Sequence, residues 1–364
     1  MNKFYSISLL LFTIIGFGQA GAPAPYYNGF DWTQTGTTLK NALTTKITTT
    51  HTNRLSYTPG IWEASKVTDL DPNNSNNVIL IYGWENGTDA IVTNDRSRSK
   101  TNNGGGNGQW NREHVYAKSL GTPVLQDGGS GANSDAGEDA HHIRPSDVQW
   151  NAIRGNLKFA AGSGNASSVS GGWYPGDEWK GDVARMMMYM HLRYPTQCLA
   201  KNVGTGPVTG EDPNMVMLFL QWNAEDPVSP FEDIRNAYHA NTSNTYAQGN
   251  RNPFIDNPYL ATLLWGGTPA ENKWPSVFLS NNTFDLLANV SVYPNPSNDN
   301  RINIQTEVVL DEIELISING QIMQQIRKPA ANGTNYTLEN LPKGFYILKL
   351  SSDNQSTIKK IIVN

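Results

Sequence analysis

Cysteine is almost missing from the 364 residues: Cys198 stands alone. No internal disulfide can form, so stability must come from core burial, for which the chain is long enough. Charge is scarce as well, at 16% of residues, with 27 Lys and Arg against 32 Asp and Glu. The net charge of −5 argues against a protein that coats nucleic acid over a wide surface, yet leaves room for a local basic groove. After residue 20 no apolar run approaches the length of a membrane helix. Three catalytic signatures are also missing. There is no G-x-S-x-G nucleophile elbow, no H-E-x-x-H and no Walker loop, which sets aside the elbow hydrolases, the zincin proteases and P-loop chemistry. Cys198 itself lies among Met and Tyr and reads as a small buried hydrophobe rather than a nucleophile.

What the chain does have is organised in blocks. MNKFYSISLLLFTIIGFGQA offers Lys3, then a mostly apolar stretch from Ile7 to Phe17, then small residues around Gly18-Gln19-Ala20. Residues 1–20 therefore read as a secretory signal peptide. Length favours two domains. Leu39, Leu43 and Ile47 recur every four residues and predict a short amphipathic helix over Thr37–Thr48. Val78–Tyr82 reads as a strand. Residues 181–194, 214–228 and FEDIRNAYHANT read as helices, the first apolar all round and therefore buried, its Met stripe being packing. In EDAHHIRPSDVQWNAIRGNLKF, Pro145 marks a helix start and Gly155 its end, about three turns that carry Asn151 and Arg154 on one face. GGTPAENKWPS opens a linker, residues 266–288. From 289 onward short alternating strands, with a hairpin turn at Asn319-Gly320, predict a small antiparallel β-sandwich over 289–364.

The reactive inventory concentrates in two places. NREHVYAKS, Asn111 to Ser119, sets Glu113 directly before His114, and Glu113 is the one acid between residues 96 and 118, amid Arg96, Arg98, Lys100, Arg112 and Lys118. The second block brings Asp139, His141, His142 and Arg144, then Asn151, Arg154 and Asn156. A carboxylate and an amide oxygen are hard ligands suited to Mg²⁺ or Ca²⁺ with water completing the shell. A histidine beside them could take a proton from water, and arginines could hold phosphate oxygens. One hard metal, one imidazole and guanidinium clamps describe phosphodiester hydrolysis. The residues alone leave other readings open. The Glu-His pair can be a polar turn, His141-His142 a zinc pair, and the basic residues a solvated loop.

At these residues the sequence resembles the bacterial endonuclease I family, secreted and periplasmic non-specific nucleases. The matching stretches are REHVYAKS, DAHHIRPSDVQWNAIRGNLKF, GDVARMMMYM, LQWNAEDPV and QGNRNPFID, in order, across roughly residues 23–265. The resemblance implies an α+β fold with a ββα-metal core. It implies His114 as the general base and Glu113 and Asn151 as ligands of one divalent ion, Mg²⁺ (or Ca²⁺ or Mn²⁺). Arg154 and Asn156 fall on its recurring Arg and Asn, in phosphate contact or bracing of the helix; Arg112 and Arg144 join them as expected substrate contacts. The chain departs from the family at Tyr116-Ala117, where Trp-Pro is common, at His142, where some members have Asn, and in lacking disulfides. Separately, VYPNPSNDNRINIQ, SINGQIM, LPKGFYILKLSS and IKKIIVN are similar to type IX secretion C-terminal sorting domains; a carbohydrate-binding sandwich is the other reading of that tail.

The resulting expectation is a secreted or cell-surface metal-dependent endonuclease cutting DNA and/or RNA to 5′-phosphate ends, with the outer-membrane type IX machinery as partner. Its runner-up is a cell-surface adhesin or glycan-binding protein without hydrolase activity. A small-nucleotide or lipid phosphodiesterase would share the site but lack a long groove. If Glu113 and Asn151 share one ion, their oxygens should lie within about 4–6 Å of each other, with His114 pointing past them into a basic cleft.

Overall fold

The structure is a computed structural model that describes residues 22–23, 25–128, 135–278, 290–306, 308–352 and 355–364. The expected signal peptide, the middle of the Gly/Ser-rich loop and most of the second half of the expected linker lie outside the described residues. The chain divides into two compact units, Met1–Val277 and Phe278–Asn364.

The first unit mixes helices with short antiparallel sheets. Helix α1 (Gly36–Thr49) buries Leu39, Leu43 and Ile47, the stripe read from the sequence. Helix α2 (Trp62–Thr68) leads into a three-stranded antiparallel sheet of β1 (Leu70–Asp71), β2 (Asn74–Ile79) and β3 (Ser97–Ser99). The apolar run continues past β2, but the ladder does not. Tyr82 adopts φ 74°, a left-handed conformation that strains a residue with a Cβ, and the chain turns there although residues 78–82 are all buried.

Next come β4 (Trp110–His114) and β5 (Ile143–Asp147), an antiparallel pair with Glu113 opposite Arg144 and His114 opposite Ile143. Helix α3 (Val148–Arg154) follows directly. It begins later than Pro145 suggested and has about two turns. Pro145 and Ser146 are strand residues, and Asp147 is the N-cap, its carboxylate accepting from the backbone of Gln149 and Trp150. Gly155 ends it at φ 52°. A small hairpin, β6 (Ser167–Val169) and β7 (Gly172–Tyr174), precedes α4 (Lys180–Arg193).

Helix α4 is the centre of this unit, buried from Gly181 to Leu192. Packed against it are α1, α5 (Ala200–Val203), α6 (Met217–Glu225) and α8 (Pro253–Asp256). Between the last two, α7 (Pro230–Ala240) opens on a capping box, Ser229 with Glu232. After α9 (Tyr259–Trp265), residues 266–277 do not behave as the loose linker their composition implied. Trp274 is wholly buried, against Tyr27 and Trp32, and Lys273 reaches Asp233 at 3.0 Å. Aromatic burial outweighs the Gly and Pro around it.

The second unit has two antiparallel sheets. One contains β8 (Ser291–Tyr293), β9 (Ile302–Gln305) and β12 (Asn335–Leu338), in the order β12-β9-β8; the other is β11-β10-β13-β14, from β10 (Glu312–Ser317), β11 (Ile322–Arg327), β13 (Gly344–Ser352) and β14 (Gln355–Val363). Residues of both sheets form one core, with Ile302, Ile304 and Leu338 from the first and Ile313, Leu315, Leu348 and Leu350 from the second. The expected turn at Asn319-Gly320 joins β10 to β11, and Gly320 takes φ 81°.

Candidate active site

A cavity of about 650 Å³ opens at the end of β4. Of the residues singled out from the sequence, Arg112, Glu113, His114, Asn151 and Asn156 line it; Arg144 and Arg154 do not. Lys118, Gln126 and Asp127 complete its polar wall.

Glu113 is buried. Its Oε1 accepts from the Tyr82 hydroxyl at 3.0 Å and pairs with Arg154 Nη1 at 3.1 Å. Burial nevertheless dominates and pushes its carboxyl up to about 7, against the pull of Arg154 and Tyr82. Tyr82 stays a donor, since burial holds its phenol well above the usual range. Arg154 is fully buried. Besides Glu113 it donates to the carbonyls of His114, at 3.1 Å, and Val115, at 2.8 Å. It braces the strand end and has no exposed edge for substrate, which corrects the expected phosphate contact in favour of the bracing role.

Asn151 donates through Nδ2 to Asn111 Oδ1 at 2.8 Å. That bond fixes the amide, leaving Oδ1 as the acceptor on the other side. Glu113 and Asn151 thus bring two hard oxygens to one cavity. A buried carboxylate and a neutral amide on one cavity wall are a donor set that a small divalent cation fits, with water completing the shell. Among the described residues no group of three or more His, Cys, Asp or Glu could hold a metal, so any ion here would keep most of its water.

His114 is nearly buried. Its Nε2 lies 2.9 Å from the carbonyl of Gly137. A carbonyl only accepts, so Nε2 carries the hydrogen and Nδ1 keeps the lone pair. Burial, then His142, Lys118 and Arg112, hold this imidazole well below its ordinary value, so it is neutral at pH 7. The loop supplying Gly137 is tied down by Glu138, whose Oε1 accepts from the backbone of Tyr57 and of Gly128. The Tyr57 ring stacks on His114 at 5.3 Å.

Arg112 is half-buried between two rings, its guanidinium carbon 3.4 Å from the centre of Tyr57 and 4.1 Å from that of Trp62. It also donates to the Tyr57 carbonyl and to Thr58 Oγ1. Asn156 is exposed at the rim, 3.3 Å from Ser119 Oγ.

Arg144 is a second correction. It has no exposed surface; Nε pairs with Asp69 at 2.6 Å and Nη1 with Asp182 at 3.2 Å. Two buried carboxylates hold it inside the unit, where no phosphate can reach. His141 and His142 are buried too, their Nε2 atoms on the carbonyls of Asn250 and Ala136. Burial lowers both to about 4. They act in packing and hydrogen bonding, beside an Asp139 that accepts from Tyr189, Tyr194 and Gln248. The sequence gives no role to Tyr82, Asn111, Tyr57 and Asp127, and all but Asn111 lie outside any chemically suggestive pattern. Asn111 alone carried a signal, as the strand residue two before Glu113 and so on its face.

The Endonuclease I family profile matches residues 35–259, and that of the secretion system C-terminal sorting domain matches residues 291–364. An extracellular ribonuclease of Bacillus amyloliquefaciens is 42% identical over 246 residues, 64% of this chain and 75% of its own. One of Bacillus subtilis is 42% identical over 252 residues, 66% of this chain and 78% of its own. A solved surface component of the type IX secretion system of Porphyromonas gingivalis is similar over 23% of this chain and 12% of its own, at 15% identity and a TM-score of 0.20, too slight a likeness to bear weight. No helix among the described residues is long and apolar enough to cross a membrane. The adhesin reading falls away: the chain belongs to the Endonuclease I family, a secreted or cell-surface nuclease that carries a secretion-system sorting domain.

Proposed function

We propose that the protein is a metal-dependent endonuclease of low sequence specificity that hydrolyses RNA and/or DNA to 5′-phosphate ends. Its parts are a signal peptide over 1–20, a nuclease domain over 23–265 built on a ββα-metal core, a connecting segment, and a β-sandwich sorting domain over 289–364 read by the type IX machinery. The observation that carries the reading is the meeting of Glu113, His114 and Asn151 in one cavity, with Asn151 turned by Asn111 and His114 by Gly137. The ribonuclease relatives support RNA among the substrates.

Glu113 and Asn151 would hold one divalent ion, Mg²⁺ or else Ca²⁺ or Mn²⁺, which when bound stabilises the extra negative charge on the phosphate. His114 takes a proton on Nδ1 from a water as that water attacks phosphorus. The bond from phosphorus to the 3′-oxygen breaks, that oxygen takes a proton from solvent water, and His114 later returns its own proton to solvent, leaving a 3′-hydroxyl and a 5′-phosphate. The neutral state of His114 at pH 7 suits this role, and its Nε2–H bond to Gly137 keeps the lone pair on the working nitrogen. Arg112, held flat by Tyr57 and Trp62, offers its guanidinium to a non-bridging phosphate oxygen with little entropy left to lose. Contacts to phosphate carry no sequence information, hence the low specificity.

The test is a gel assay of plasmid, single-stranded DNA and RNA, with and without EDTA, for the parent and His114→Ala. EDTA and the substitution should each nearly abolish cutting while nucleic-acid binding by His114→Ala persists. A His114→Ala protein that cuts as fast as its parent would end the mechanism.

A further inference from the structure

One group in the cavity has no place in that mechanism. Asp127 puts a carboxylate into a cleft meant for a polyanion, where it repels phosphate. Its Oδ2 lies 4.0 Å from His114 Nε2. Lys118 donates to the same Oδ2 at 2.6 Å. Among the described residues nothing donates to Oδ1, and Asp127 is about one-fifth exposed, at 22% of its side chain, on the cavity wall.

The chemistry of the substrate decides what such a carboxylate can recognise. An ionised carboxylate only accepts hydrogen bonds. The sugar-phosphate backbone of DNA offers acceptors and no donor. That of RNA offers one donor per nucleotide, the 2′-hydroxyl, which also accepts. A carboxylate paired with an ammonium is complementary to a group that both donates and accepts: Oδ1 receives the hydroxyl hydrogen and Lys118 approaches the hydroxyl oxygen. Base amino groups are the other donors on a nucleic acid, but recognising them would impose base preference. Asp127 shares one cavity with His114, its Oδ2 4.0 Å from the Nε2 edge of that imidazole, within reach of a nucleotide bound there.

We propose that Asp127, with Lys118, reads the ribose 2′-hydroxyl next to the scissile phosphate and sets a preference for RNA over DNA. The proposal rests on the nuclease reading of the cavity and adds the residue pair that selects the sugar.

The experiment compares kcat/KM of the full chain on three single strands of one sequence, as RNA, DNA and 2′-O-methyl RNA, for the parent, Asp127→Asn and Asp127→Ala. The parent should prefer RNA over both others, because the methyl ether still accepts but no longer donates. Asp127→Ala should lower the RNA-to-DNA ratio about tenfold, as expected for losing one hydrogen bond to a charged acceptor. Asp127→Asn keeps an acceptor oxygen in the same shape and should retain more of the ratio. A parent that cuts all three alike, or an Asp127→Ala protein with an unchanged ratio, overturns the proposal and leaves the nuclease mechanism standing. So does an equal loss of ratio in the Asn and Ala variants, which would point to geometry rather than acceptance. Failure of the nuclease reading itself is distinguishable: the parent would then cut none of the strands, or His114→Ala would cut them undiminished.

Discussion

Replacing Tyr82 by Phe isolates one hydrogen bond. The hydroxyl donates to Glu113 Oε1 at 3.0 Å inside the protein, while the ring packs on Trp173 at 5.5 Å. Phe keeps the packing and loses the bond. Glu113 already has its carboxyl raised to about 7, with Tyr82 among the groups opposing that rise. A hydrogen bond to a charged group is worth about 1.5–3 kcal/mol, and one pKa unit is about 1.4 kcal/mol. The substitution should therefore raise Glu113 by at least roughly one unit, leaving Arg154 as its main support. At pH 7 the ionised fraction then falls from about half to roughly a tenth. If Glu113 holds the divalent ion, Mg²⁺ competes with that proton, and its affinity should drop about fivefold at pH 7. At pH 9 most of Glu113 is ionised in both proteins, and the affinities should nearly coincide. Calorimetric titration with Mg²⁺ at the two pH values checks this without any turnover. An equal loss at both pH values would show that the hydroxyl acts through geometry. No loss at pH 7 would refute the role given to Glu113.

Two further outcomes follow from the buried polar interior. His141 and His142 titrate near 4 when folded against 6.5 in an unfolded chain. The unfolded state therefore binds more protons between those values, so stability is full above about pH 6.5 and falls as pH drops toward 4, by roughly 2 kcal/mol per histidine at pH 5; a thermal midpoint flat from pH 7 to 5 would contradict this. Arg144→Met should leave Asp69 and Asp182 buried with a lost partner and cost about 3–5 kcal/mol of stability, read by urea unfolding, while KM of the surviving folded protein stays at the parent value. A raised KM at unchanged stability would restore Arg144 as a substrate contact.

Much of the fold was legible where one periodicity dominates. The stripe of Leu39, Leu43 and Ile47, the all-apolar run of α4 and the Asn319-Gly320 turn each reduce to local chemistry. Pro145 misled because a proline that can open a helix can equally sit in a strand of a two-stranded ladder, one side of which needs no donor. Asp147, two residues on, was the cap. The arginines were the least readable part of the site. Arg112, Arg144 and Arg154 look alike in sequence, and all three flank the motif. Only the packing distinguishes a guanidinium between two aromatic rings at a cavity wall from one between two buried carboxylates and one spanning backbone carbonyls. The partners of Arg112 and Arg144 come from residues 57, 62, 69 and 182, far along the chain, and no local pattern announces them.

The adjacency of Glu113 and His114 poses a geometric question, since neighbours on a strand face opposite sides. A site on either face of the β4–β5 pair could use one of them and not the other. The answer lies in where the ladder stops. The strand pairing ends with His114 opposite Ile143, one more bond follows from Val115 N–H to the His142 carbonyl at 3.0 Å, and Ala117, Lys118 and Ser119 of the turn beyond line the cavity with Glu113 and His114. Glu113, one residue inside, reaches it from the side of Tyr82 and Arg154; His114, the last residue, reaches it from the side of Gly137. Arg154 secures both with one guanidinium, on the carboxylate of the first and the carbonyl of the second. The buried arginine on the carbonyls of His114 and Val115 holds the backbone where the strand gives way to a turn, and the pair works as a site because one guanidinium fixes both residues there.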